Sequence, residues 1–187
     1  MALLAIAVVA FSLIHLIPAV PPLKARLKER IGPAYGPLFG TVVTLSLILI
    51  VVGWRFSAYV HVYDPPAWGR YVSFVLTFVA FLGLGIFLFR GRLRQTLRFP
   101  LAMAVMLWSA AHLFANGDLA SLILFGGLFI YAAAHLGLGL ANGVRPSPEV
   151  RGGHDGLSIL AGVALYAVMA QLHPVLIGVP ILPLPGR

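Results

Sequence analysis

The chain is predicted to be an all-α, polytopic membrane protein with six transmembrane helices in one bundle. It reads as a single domain over residues 1–187, with both termini on the outer side. Three observations carry that expectation. The composition is 60% hydrophobic and only 10% charged, against roughly 25% charged residues in a soluble domain. The mean hydropathy is +0.99, which excludes disorder as well as a water-facing surface. The apolar residues also fall into six runs near the ~20 residues that a helix needs to cross ~30 Å of hydrocarbon.

The runs follow in order. The first is Met1 to Val20, closed by Pro18, Pro21 and Pro22. It has no Lys or Arg before it and is of full membrane length, so it is read as a retained helix rather than a cleaved signal. The second runs from about Leu38 to Phe56, the third from about Tyr71 to Phe89, and the fourth from Phe99 to Asn116. The fifth runs from Asp118 to Ala141 and the sixth from Leu157 to about Val179. Each must be helical, because lipid offers no partner for an unpaired backbone group.

Charge orients the spans. Thirteen Lys and Arg face five Asp and Glu. Ten of the thirteen lie in alternate linkers: Lys24, Arg26, Lys28 and Arg30, then Arg90, Arg92, Arg94 and Arg98, then Arg145 and Arg151. Arg55, Arg70 and Arg187 fall on the other side. The asymmetry makes the basic linkers cytoplasmic and explains the net charge of +8 without nucleic acid; the expected partner is the lipid bilayer. LKARLKER suits a short amphipathic helix on that surface. Trp54, Tyr59, Tyr63, Trp68 and Tyr71 are expected to form the outer aromatic belt. In the tight Asn116-Gly117-Asp118 link, Gly117 is expected to take a left-handed turn and Asp118 to cap helix five. Helices four and five should then pair as an antiparallel hairpin.

Four of the six histidines fall inside spans: His15, His112, His135 and His173. An ionisable residue at membrane depth is a functional candidate by default. FSLIHL, WSAAHL and YAAAHL each place an aromatic four residues before a histidine, so ring and imidazole share a helix face. Ser12 and Ser109 add hydroxyls three residues before His15 and His112. There is no cysteine and no acid in the middle of a span. That disfavours a proton pump, a carboxylate di-iron site and zinc hydrolysis. Neutral imidazoles among aromatics best suit haem. By depth, His15 and His112 differ in height by about 11 Å, compatible with the ~12–13 Å between α-carbons of two imidazoles on one metal. They are the first choice of ligands, with His135 and His173 second. Ser12, Trp108, Ser109 and Asn116 would form the surrounding shell. Arg98 or Arg94 would neutralise the propionates. An assembly factor whose histidines only bind neighbouring helices, with no cofactor and no catalysis, is the alternative.

The segments HLIPAVPPLKARLKERIG, YGPLFGTVVTLSL, RFPLAMAVMLWSAAHLFANGDLAS and LHPVLIGVP resemble the NnrU family over almost the whole chain. The block W-x-x-A-H-L-x-x-N-G-D is the specific part; Phe99 stands where the family pattern has histidine. The resemblance implies a multi-pass protein of the bacterial cytoplasmic (inner) membrane, associated with nitrite and nitric oxide reduction in denitrification. The plant 15-cis-zeta-carotene isomerase is similar over two of these segments, those with His15 and His112, and implies haem b as the cofactor and a second activity, haem-dependent cis-trans isomerisation of an apolar, carotenoid-like polyene. By motif its haem histidines correspond to His15 and His112, and its cysteine to Ser109. A weaker similarity to isoprenylcysteine and phospholipid methyltransferases extends only to the R-x-P helix opening and tight helical hairpin.

Overall fold

The computed structural model describes residues 1–179 and 181. Arg187, Pro180 and the C-terminus, assigned above to the outer side, lie outside the described residues. Among the described residues the named elements are all helices, with one isolated bridge between His61 and Asp118. Helix α1 spans Ala2–Leu16 and passes into a 3-10 turn at Ile17–Ala19. It stops there because Pro18 has no N–H to continue the ladder. Helix α2, Pro21–Ile31, starts on two prolines at its first turn, where their missing donors cost nothing. This is the LKARLKER helix, with Leu27 and Ile31 half-buried and Arg26, Lys28 and Arg30 exposed. Helix α3 follows at Tyr35–Arg55, and α4 at Gly69–Leu88.

Short α5, Arg92–Leu97, precedes α6, Pro100–Ala115. Helix α7 runs from Leu119 to Ala141 and contains a π-helical turn at Leu122–Gly126. Asp118 caps it as the sequence predicts, accepting from the Ser121 N–H at 3.0 Å. Helix α8 spans His154–Ile177, so it begins at His154, three residues before the expected Leu157. Among the described residues five helical stretches are long and apolar enough to cross a membrane, whereas α6 is apolar but shorter.

The main packing pairs follow one another as α3–α1–α7–α6–α4–α8. The hairpin of α6 and α7 is among them. Close contacts use small residues, as expected where lipid leaves little hydrophobic drive between helices. Ala7, Ala19, Ala111 and Ala132 are buried, while Ile6, Leu160 and Val175 point outward. Gly85 of α4 and Gly162 of α8 meet face to face. A Cβ on Gly85 would lie 2.1 Å from the Ser158 carbonyl oxygen, and one on Gly162 2.8 Å from the Phe81 carbonyl oxygen.

The loops lock the two ends. At one end the 57–68 segment lies on the α6–α7 turn, where Val62 and Tyr63 N–H groups donate to the Gly117 carbonyl at 2.9 and 3.0 Å. Gly117 is not left-handed, contrary to expectation. It is glycine because a Cβ would sit 1.7 Å from the Tyr63 carbonyl oxygen. Tyr63 also departs from a simple belt role: its hydroxyl donates to the Leu113 carbonyl and to that of Asn116, the latter at 2.7 Å. At the opposite end Arg90 pairs with Glu149, the Arg151 N–H donates to the Arg90 carbonyl at 2.8 Å, and Asp155 accepts from the Leu93 N–H at 2.9 Å.

Candidate functional site

The three aromatic–histidine pairs form as their spacing predicts. Phe11 stacks on His15 with centroids 3.8 Å apart. Trp108 lies 4.7 Å from His112, and Tyr131 lies 5.9 Å from His135. Neighbouring helices complete each setting. His15 also meets Tyr131 edge-on at 5.8 Å, and His112 stacks on Phe125 at 4.4 Å. Phe99 sits 6.4 Å from His135.

All four imidazoles hold Nδ1 against a backbone carbonyl. His15 uses the Phe11 oxygen at 2.9 Å and His112 the Trp108 oxygen at 2.8 Å. His135 uses the His15 oxygen at 3.2 Å, and His173 the Val179 oxygen at 2.7 Å. A carbonyl can only accept, so these bonds put the proton on Nδ1. Nε2 then carries the lone pair, and it has no hydrogen-bond partner among the described residues.

His15 and His112 flank one stretch of α7 from α1 and α6. Their contacts there, Tyr131 and Phe125, are six residues apart, or about 9 Å along the axis. His135 belongs with His15 rather than with His173. His173 lies near the end of α8, half-buried, and engages the segment that follows its own helix.

The expected surrounding shell divides. Trp108 touches the His112 ring, and the Asn116 side-chain amide donates to the His112 carbonyl at 2.8 Å. Ser12 turns away from His15 and donates to the Val8 carbonyl at 2.7 Å. Ser109 is fully buried, and its Oγ has no partner among the described residues. Arg98 donates from Nε to the Val144 carbonyl at 2.7 Å and lies over the Phe99 ring. Arg94 lies over Phe87.

Among the described residues no three His, Asp or Glu side chains gather as a metal-ion cluster. A bare zinc-type ion draws three or four ligands from the protein. A haem iron already has four porphyrin nitrogens and needs only one or two more. Imidazoles presented singly or in pairs, with Nδ1 tied and Nε2 free, fit that demand. The orphan Ser109 hydroxyl adds a polar group still lacking a partner.

Two contacts escaped the sequence reading: the His135 bond to the His15 carbonyl, and the Tyr63 lock on the end of α6. The first has a sequence signal in Pro18, which ends α1 just beyond His15.

The family model described as NnrU protein matches residues 3–181, and the chain belongs to the NnrU family. No curated protein and no solved structure matches it.

Proposed function

We propose that the protein is a haem b protein of the bacterial cytoplasmic membrane, with α6 as a sixth span and both termini periplasmic. Its role lies in nitrite and nitric oxide reduction or related redox-dependent chemistry. His15 and His112 are the ligands, with His135 and His173 as the alternative set. Residues 1–187 act as one domain.

The observation supporting this is the shared state of the four imidazoles: each Nδ1–H is committed to a carbonyl, and no Nε2 has a hydrogen-bond partner among the described residues. That tautomer is the one a metal ligand needs, and the carbonyl raises the basicity of the free nitrogen. Phe11, Trp108, Phe125 and Tyr131 supply an apolar lining that excludes water. Asn116 holds the backbone behind His112, and Ser109 offers its buried hydroxyl. Haem would supply an iron that cycles between ferric and ferrous states.

The test is an oxidised and reduced optical spectrum of protein purified from haem-supplied cells. A Soret band with low-spin features is expected, lost or converted to high spin in His15→Ala and His112→Ala. No Soret absorption would overturn the proposal, and a colourless, stable protein with co-purifying partners would indicate the assembly-factor role. Unchanged spectra in both variants would move the ligands to His135 and His173. Binding of nitric oxide to the ferrous protein is the expected next result; altered cellular carotenoids with no such binding would favour polyene isomerisation instead.

A further inference from the structure

Two prolines free carbonyls at the end of α1: Pro18 has no N–H for the His15 oxygen three residues back, and Pro22 none for the Ala19 oxygen. A carbonyl without a partner inside a membrane is costly. Helix α7 supplies two donors there. His135 Nδ1 lies 3.2 Å from the His15 oxygen, and Asn142 Nδ2 lies 3.2 Å from the Ala19 oxygen. His135 lies on α7, and Asn142, seven residues further on, caps its C-terminal end. Ala19 is fully buried at the contact. The backbone that carries His15 is therefore held from the neighbouring helix.

We propose that His135 is a positioning residue for His15: through Nδ1–H, and together with Asn142, it clamps the proline-broken end of α1 onto α7. The inference rests on the haem reading for its consequence, but the clamp itself does not need the cofactor. It separates two uses of one side chain. A ligand would act through Nε2, whereas the clamp acts through Nδ1.

Amide substitutions tell these apart. Asparagine places an N–H close to the position of Nδ1 and nothing at Nε2. Glutamine reaches the Nε2 position and leaves the Nδ1 position empty. The full-length protein is prepared as His135→Asn and His135→Gln, and two readouts are taken. One is the optical and electron paramagnetic spectrum of the haem-supplied protein. The other is the thermal midpoint of cofactor-free protein in detergent.

His135→Asn should keep both the wild-type spectrum and the wild-type midpoint. His135→Gln should lower the cofactor-free midpoint by about 1–7 °C and split the spectrum into mixed spin states as His15 loses its fixed position. Loss of the low-spin spectrum in His135→Asn, as complete as in His15→Ala, would overturn the proposal and make His135 a ligand. Equal cofactor-free midpoints in wild type and both variants would also overturn it. If wild-type protein takes up no haem, the haem reading fails, and the midpoints still decide the clamp.

Discussion

Ser109→Ala is a substitution whose sign is set by one atom. The Ser109 side chain is 0% exposed, and its Oγ has no partner among the described residues. An unpaired buried hydroxyl costs ~1–3 kcal/mol. Removing the oxygen leaves a void of roughly 10 Å³, which costs only about 0.2 kcal/mol at ~24 cal/mol per Å³. Alanine also gains about 0.5 kcal/mol in helix propensity. Cofactor-free Ser109→Ala should therefore be more stable than wild type by ~1–3 kcal/mol, a rise of about 2–12 °C in thermal midpoint. Circular dichroism in detergent measures it, with Ser12→Ala as the control. Ser12 already donates to the Val8 carbonyl at 2.7 Å, so its loss should leave the midpoint within about 2 °C. In haem-supplied protein the sign should reverse, with Ser109→Ala retaining less haem. A cofactor-free Ser109→Ala that is unchanged or less stable would refute the reasoning, because the hydroxyl would then have a partner.

Other outcomes follow from the contacts between helices. Gly85→Ala puts a methyl 2.1 Å from the Ser158 carbonyl oxygen. Reaching the ordinary ~3.3 Å needs about 1.2 Å of retreat, and destabilisation of ~1–3 kcal/mol should appear as a lower midpoint and faster proteolysis of the 142–153 loop. Tyr63→Phe removes the donor to the end of α6 and should cost ~0.5–1.5 kcal/mol. Burial and the nearby Asp118 charge raise the Tyr63 pKa above 10.0. The folded state thus holds this proton more tightly than the unfolded one, so the contribution is full below pH 10 and falls as pH rises through that value. The gap between wild type and Tyr63→Phe should narrow in midpoints taken from pH 8 upward to ~11. Asp118→Ala removes the α7 cap and should cost about 1 kcal/mol, read in the same assay.

The helices were legible because lipid forces long apolar runs, and their ends because Pro18, Pro100 and Asp118 act locally. The aromatic–histidine pairs were legible for the same reason, since a four-residue spacing is settled within one helix. Gly117 shows where local reasoning stops. Its neighbours in sequence suggest a left-handed turn, whereas the requirement comes from Tyr63, more than fifty residues earlier. The pairing of His135 with the His15 carbonyl is likewise not local. It needs both the end of α1 and the packing of α1 on α7, and the sequence states only the first. Depth along a helix places His15 and His112 at different heights, but it does not say that α7 stands between their helices.

The shortness of α6 has a consequence for the lipid itself. Sixteen residues make about 24 Å of helix, some 6 Å less than the hydrocarbon thickness of an average bilayer. As a span, α6 would draw the two leaflets together locally, while α4 and α7 on either side match the ordinary thickness. Pinched lipid stores elastic energy and admits headgroups closer to the midplane. The annulus beside His112 and Asn116 would then be the thinnest around the molecule, and acyl-chain length would become a variable that acts on the histidines without touching them.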